Sequence, residues 1–338
     1  MKNIVLKVIS AALCCLLLAT SLTACAAGRP IKGSDEDLAV VGTVKNYEVL
    51  YEELRYVTLL YRDQLRAQHG EGIWDDPDTA EQYRGELEEL VKRNITANYA
   101  TLSLCSEVGI TPDRTEIKDA VSKYIDELIT EIGGRGEYKK ALAEQNLTDH
   151  FLRFTIGVEY CQNELYYSYT QDLGLIETDE DVIYDYIMDG NFVRTVHVYI
   201  QNDPTDDIEA NRAAAQDVHK RLSEGEDINK IIGSSVNEDF DLTTTHGYYF
   251  TRGEMITAYE DAAFALEIGK FSDVVETSTG FYIIKRLELE PSYVMQNLLT
   301  LIDQYQYSQL NKFLDDRQAE LVFEFNDFGA GLDLTKIS

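Results

Sequence analysis

Residues 247–255 read GYYFTRGEM, and they form the most informative run of the chain. Two further runs follow closely, YEDAAFAL at 259–266 and GFYIIK at 280–285. The first and third runs are rich in aromatic and β-branched residues, which favour strands, whereas the alanine-rich run between them favours a helix. The three runs therefore predict a strand, a helix and a second β-segment, in that order.

The residues on either side extend this β-rich region. Residues 274–278 and 281–287 have strand patterns and flank Thr279-Gly280, which is typical of a short hairpin-like turn. Residues 192–200, FVRTVHVYI, have the composition of an earlier strand. The region therefore begins with a strand and ends with a hairpin.

Helices are expected between the first strand and the GYYFTRGEM run. Asp206 or Asp207 is a candidate N-cap, because a carboxylate can accept the unpaired N–H groups of a first helical turn. The expected buried stripe of this helix is Ala214, Val218 and Leu222, and a shorter helix is expected at 228–232. Residues 191–290 are thus predicted to form a compact α+β unit of ordinary domain size.

The segments before and after this unit have a helical pattern. Apolar residues recur every three or four positions at 87–95 and 117–128. The same period returns at 292–321, where the apolar face needs a partner, and the N-terminal helical region is the available one. We therefore expect an all-α domain built from residues 38–190 and 291–338, with the α+β unit inserted between them.

The N-terminus has the pattern of an exported protein. Residues 1–24 read as a signal peptide, because lysines precede an apolar run at 8–18 that is too short to span a bilayer. The run closes on LTAC at 22–25, which resembles the lipobox of bacterial lipoproteins, so Cys25 is the expected lipid attachment point. An ordinary secretory signal with a chance cysteine is the alternative.

The expected lipid anchor sets the location of the chain. Residues 25–37 are short and polar and suit a flexible tether, and an apolar β-type run follows at 39–44. Two acyl chains on one cysteine anchor a protein far more firmly than a single chain does. The sequence therefore predicts a protein held on the extracytoplasmic face of the cell membrane.

Composition and spacing exclude several classes of function. The formal net charge of −30 argues against nucleic acid as a partner, because no basic stripe is present to replace phosphate counterions. The histidines lack metal-ligand spacing, and no phosphate-binding loop or Gly-x-Ser-x-Gly elbow is present, so no metal and no cofactor are predicted. Cys105 and Cys161 remain in the folded part, as two buried thiols or as a disulfide.

The opening runs, together with FSDVVET at 271–277, resemble the parvulin family of peptidyl-prolyl isomerases. The whole arrangement resembles the extracytoplasmic foldases of the PrsA and SurA type. The resemblance implies isomerisation of X-Pro peptide bonds without a cofactor. It also implies unfolded or partly folded exported polypeptides as clients, with the membrane and a second copy of the chain as further candidate partners.

The resemblance further implies a set of site residues. His197 occupies the first-strand histidine position, in a hydrogen-bonded network beneath the substrate carbonyl. The implied catalytic positions are His197, Tyr282, Thr277, Thr279, and Asn237 or Glu238. The implied proline pocket consists of Met255, Tyr259 and Phe250.

Three departures from the family pattern leave more than one function open. Tyr282 stands where the family has its second histidine, Tyr259 where it usually has Phe, and residues 244–246 read TTH in place of paired glycines. A tyrosine can donate a hydrogen bond as a neutral imidazole can, so one interpretation keeps the enzyme active. The alternatives are a non-catalytic holdase with a peptide-binding groove and a purely structural component. The extra hydroxyl of Tyr259 must reach water or a partner in any of them.

Overall fold

The computed structural model describes residues 36–202, 207–234, 246–277 and 279–338. The expected signal peptide and Cys25 lie outside the described residues, as do Asn237 and Glu238. Within the described ranges, no helix is both long enough and apolar enough to cross a membrane.

Helices form most of the described chain, and short strands accompany them. The helices are α1 (Tyr51–His69), α2 (Ala80–Glu107), α3 (Thr115–Glu131), α4 (Arg135–Glu144), α5 (Asp149–Tyr167), α6 (Glu180–Tyr186), α7 (Ile208–Ser223), α8 (Ile228–Ile232), α9 (Thr257–Ala265), α10 (Pro291–Gln296), α11 (Leu298–Ala319) and α12 (Asp327–Ala330). The strands are β1 (Val40–Val44), β2 (Tyr47–Leu50), β3 (Val193–Gln201), β4 (Tyr248–Phe250), β5 (Val275–Thr277), β6 (Gly280–Leu287) and β7 (Phe323–Phe325).

One compact unit consists of the described residues up to Ser168 together with Leu314–Ser338. It contains α1 to α5 and a small antiparallel sheet with the order β2-β1-β7. The predicted helical stripe of α2 is buried at Leu87, Val91 and Ile95. Because β7 pairs with β1, both ends of the described chain contribute to this unit, which contains a sheet as well as helices.

The pairing of β1 with β7 depends on a glycine. A Cβ atom on Gly42 would lie 2.4 Å from the carbonyl oxygen of Glu324 and 2.5 Å from the Phe323 ring, so no side chain fits there. The β-type run predicted at 39–44 corresponds to β1. The sequence did not indicate β7, because three residues carry little periodicity and their partner strand lies at the other end of the chain.

The two cysteines of the folded chain are free and buried within this unit. Cys105 lies on α2 and Cys161 on α5. The thiol of Cys105 donates a hydrogen bond to the carbonyl oxygen of Cys161 at 3.3 Å. Of the two interpretations, the structure therefore has the pair of buried thiols.

The second compact unit, Tyr169–Phe313, contains an antiparallel sheet with the order β4-β3-β6-β5. The strands β3 and β6 pair along most of their length, with His197 opposite Ile284 and Tyr199 opposite Tyr282. Because side chains alternate along a strand, these four residues share one face of the sheet.

Helices cover both faces of this sheet. The helices α7 and α8 bury the face that carries Val198 and Phe281. On the opposite face, α9 packs over Val193 and Ile284. The predicted α+β order of strand, helices, strand, helix and hairpin is confirmed.

The helix α7 begins as expected but buries a different alanine. Asp207 is its N-cap, and its carboxylate accepts two backbone N–H groups of the first turn. Ala215, Val218 and Leu222 are buried, whereas Ala214 is exposed, so the prediction of Ala214 was wrong. Ala214 lies four residues before Val218 and Ala215 three, so either fits a helical stripe. The orientation of the helix on the sheet decides which of them is buried.

The last helical stretch divides into α10 and α11 at Asn297. Its apolar residues Leu301 and Ile302 pack on Ile183 and Ile187, which belong to the helical residues before β3. The apolar face of α11 thus finds a helical partner, within the second unit.

Candidate active site

His197 lies near the middle of β3 among aromatic side chains, and it is 4% exposed. Its imidazole stacks on Tyr248, with ring centroids 5.4 Å apart and 11° between the planes. Tyr259 and Tyr282 meet the imidazole edge-on at 5.4 and 5.2 Å. This packing restricts the orientation of the ring.

The hydroxyl of Tyr259 joins two residues of β3. It lies 2.9 Å from Nδ1 of His197 and 2.8 Å from Oγ1 of Thr195. The extra hydroxyl expected to need a partner therefore has two of them in the protein. The sequence pattern did not single out Thr195, although its offset of two residues from His197 places both side chains on one face of the strand.

Tyr282, at the expected position of the second histidine, also lies beside His197. It is half-buried on β6, and its ring stacks on Tyr199 with centroids 4.4 Å apart and 17° between the planes. It meets Tyr259 edge-on at 5.2 Å. The structure thus brings three predicted site residues into one aromatic cluster, and their catalytic roles remain predictions.

The loop before α9 holds Met255 next to this cluster. The carboxylate of Glu260 accepts the backbone N–H groups of Glu254 and Met255, at 2.8 and 3.0 Å. Met255 packs against the apolar cluster that contains Phe250 and Tyr259. Phe250 is buried, so it supports the Tyr259 ring from the core, and the three predicted pocket residues come together.

Thr277 and Thr279 lie at the turn between β5 and β6. The hydroxyl of Thr277 donates to the carbonyl oxygen of Gly280 at 2.9 Å and lies 3.2 Å from the hydroxyl of Thr279. Among the described residues, both hydroxyls bond within the turn and not to His197. Their contribution in this structure is to fix the start of β6, the strand that carries Tyr282.

The surroundings of Met255 are partly charged. Burial raises the pKa of Glu254, and a 2.6 Å hydrogen bond from the backbone N–H of Thr251 opposes part of that effect. Arg252 pairs with Asp261 at 2.7 Å.

Within the part of the chain that the structure describes, no group of three or more His, Cys, Asp or Glu residues could hold a metal ion. The site thus combines an apolar part, Met255 and the Tyr259 ring, with the hydrogen-bonding groups of Tyr259 and His197.

Part of the second compact unit matches a known protein family. Residues 197–288 match the family model described as Rotamase: PPIC-type PPIASE domain. The segment is a parvulin-type peptidyl-prolyl isomerase domain. The matched parvulin domain includes His197, Met255, Tyr259 and Tyr282, and it begins two residues after Thr195.

Longer alignments extend beyond the parvulin domain. The chain is 20% identical to foldase protein PrsA of Caldanaerobacter subterraneus over 270 residues, 78% of this chain and 77% of that protein. It is 26% identical to foldase protein PrsA of Oceanobacillus iheyensis over 192 residues, which are 50% of this chain and 60% of that protein. A shorter alignment of 39 residues is 51% identical to peptidyl-prolyl cis-trans isomerase ESS1 of Saccharomyces cerevisiae. It covers 12% of this chain and 23% of that protein.

Proposed function

We propose that this protein is an extracytoplasmic foldase whose parvulin domain isomerises X-Pro bonds in exported polypeptides and whose helical unit binds those polypeptides. The observation that carries the proposal is the buried His197 in ring contact with Tyr282 and Tyr259, with Met255 packed on the apolar cluster that contains Tyr259. The alignments with PrsA foldases support the wider function of the chain.

The chemistry needs no covalent step. Rotation about a peptide bond is slow because amide resonance imposes a barrier of about 20 kcal/mol. A catalyst lowers this barrier when it binds the twisted amide more tightly than the planar one. In the proposed mechanism, Met255 and the Tyr259 ring hold the proline ring, and His197 and Tyr282 offer hydrogen bonds to the twisted amide.

An isomerisation assay tests the catalytic half of the proposal. We expect the chain from residue 26 onward, which keeps every described residue, to accelerate cis/trans exchange of an X-Pro tetrapeptide. Met255→Ala should lower kcat/KM about tenfold or more, since losing a large apolar contact costs about 1–3 kcal/mol. The matched control is Ile256→Ala, because Ile256 is the next residue and is 45% exposed.

Two results would contradict this assignment. A wild-type rate equal to the uncatalysed rate would remove the isomerase activity. Equal losses in Met255→Ala and Ile256→Ala would show that the pocket is not where Met255 lies. Circular dichroism of both variants separates loss of the site from loss of the fold.

A holdase without turnover is the second candidate, and the observation that favours it is Tyr282 in place of a histidine. Such a protein would suppress aggregation of an unfolded, proline-free client to the same extent in wild type and Met255→Ala. If the wild type shows this suppression without any isomerisation, the holdase is the correct assignment.

Lipid attachment at Cys25 is the part of the proposal that sets the location. Cys25 ends the LTAC run at 22–25 and is followed by a polar segment. Metabolic labelling with a radioactive fatty acid should mark the wild-type chain and not Cys25→Ser. Equal labelling of both chains, or of neither, would contradict lipidation at this residue.

A further inference from the structure

Tyr259 forms a hydrogen-bonded bridge between two residues of β3. Its hydroxyl lies 2.8 Å from Oγ1 of Thr195 and 2.9 Å from Nδ1 of His197. Thr195 is fully buried, and Tyr259 is 3% exposed. Because buried polar groups bond to each other more strongly than they would in water, this bridge is held in a definite geometry.

The chemistry of the three groups gives the bridge a direction. A phenol is a better proton donor than an alcohol, and an unprotonated imidazole nitrogen is a better acceptor than a hydroxyl. The favoured order therefore has Thr195 donating to the oxygen of Tyr259 and Tyr259 donating to Nδ1 of His197. In a neutral imidazole that accepts at Nδ1, the proton is carried by Nε2.

We propose that Thr195 and Tyr259 are positioning residues that hold His197 as the Nε2–H tautomer in one ring orientation. The inference rests on the isomerase function proposed above and extends it to residues whose role is to act on the histidine. Thr195 lies outside the segment that matches the family model, and the Tyr259 hydroxyl is additional to the ring needed for a proline pocket.

The aromatic neighbours of His197 cannot by themselves select its tautomer. Tyr248 stacks on the imidazole and Tyr282 meets its edge, and both contacts restrict the ring. A contact with the face or edge of a ring does not distinguish which nitrogen carries the proton, whereas a hydrogen bond to Nδ1 does. A donor fixed in advance need not be ordered again in each catalytic cycle.

Nitrogen NMR of histidine-labelled protein tests the proposal directly. The chain from residue 26 onward is labelled with ¹⁵N-histidine, and His197→Gln assigns the His197 signals. In the wild type we expect Nδ1 to be the unprotonated nitrogen and Nε2 to carry the proton. Tyr259→Phe and Thr195→Val should each convert this single form into a mixture, and Thr195→Ser should restore it.

Kinetics supply a second readout. Tyr259→Phe keeps the ring, so KM should change by less than about twofold, whereas kcat should fall about tenfold with the loss of a fixed donor. The control is Tyr249→Phe, which removes a different tyrosine hydroxyl of the same unit, one bonded to the backbone N–H of Glu290. It should leave the His197 signals and kcat unchanged.

The outcomes separate this inference from the proposed function. A His197 tautomer that is the same in wild type, Tyr259→Phe and Thr195→Val overturns the inference, as does an Nδ1–H form in the wild type. If the tautomer depends on Tyr259 and no variant, including the wild type, shows isomerisation, the bridge stands and the enzymatic assignment fails. If Thr195→Val does not fold, Tyr259→Phe still decides whether the bridge sets the tautomer of His197.

Discussion

Glu53 is a buried carboxylic acid in the first compact unit. It lies on α1, is 3% exposed, and accepts hydrogen bonds from Tyr99 at 2.8 Å and Asn98 at 3.1 Å. Burial raises its pKa to about 7, and the adjacent Glu52 contributes in the same direction, while the two hydrogen bonds lower it. Glu53 therefore titrates near neutral pH in the folded protein.

This raised pKa predicts a pH-dependent stability. Between about pH 4.5 and pH 7 the folded state keeps the proton of Glu53 and the unfolded state has lost it, so the free energy of unfolding falls as the pH rises. The loss is up to about 3 kcal/mol and is complete above pH 7. Glu53→Gln should remove this part of the pH dependence in urea unfolding measured from pH 4 to pH 8.

At each pH, the free energy of unfolding of the variant is subtracted from that of the wild type. This difference isolates Glu53, because other carboxyl groups, such as Glu159, also titrate. Glu81→Gln, at an exposed position on α2, is the control. A constant difference between wild type and Glu53→Gln over this range would contradict the prediction.

The strand β6 begins at a glycine that its neighbours require. Gly280 has φ +152°, and a Cβ atom there would lie 2.2 Å from the carbonyl oxygen of Ile200 on β3. The close approach of the two backbones sets the start of the pairing that brings Tyr282 opposite Tyr199. A glycine in a hairpin-like turn was predicted from the sequence, and the reason it must be glycine lies in the adjacent strand.

Two alanine substitutions should therefore have opposite effects. Gly280→Ala should lower the free energy of unfolding by about 2–4 kcal/mol, because the backbone of β3 or β6 must move. Gly85→Ala should raise it by about 0.5–1 kcal/mol, because Gly85 lies within α2 with nothing within 4 Å of the added carbon. Urea unfolding of both variants checks this, and a neutral Gly280→Ala would contradict the close approach.

Each of the two compact units has its own sheet and its own buried residues. The first is completed by a strand from the C-terminal end of the chain, since Phe323 on β7 pairs with Val44 on β1. The second, which contains the parvulin domain, forms its sheet from consecutive strands between residues 193 and 287. The pairing of β7 should therefore matter for the first unit alone.

This separation predicts a local effect of a core mutation. Phe323→Ala should cost about 3–5 kcal/mol of stability and reduce hydrogen-exchange protection in β1, β2 and β7. Protection of β3 and β6 and the isomerisation rate should stay within error of the wild type. Val322→Ala, at the adjacent residue that is 66% exposed, is the control. Loss of protection in β3 would show that the two units unfold together.

The residue pattern was informative where the deciding interactions act between near neighbours in the chain. The strand around His197, an N-cap at Asp206 or Asp207 and the turn at Gly280 were predicted because alternation, capping and turn chemistry are local. The family resemblance implied one site with His197, Met255 and Tyr259. The structure places Tyr259 against His197 and within the apolar cluster on which Met255 packs.

Packing between distant segments decided what these patterns left open. The sequence could not show that Thr195 is the second partner of the Tyr259 hydroxyl, that Ala215 is buried in place of Ala214, or that β7 completes the first sheet. An acidic residue on an amphipathic helix is usually solvated, but Glu53 is buried in the folded protein, and this burial raises its pKa. Each of these outcomes depends on which side chains meet across separate elements, and that is fixed when the helices and strands pack.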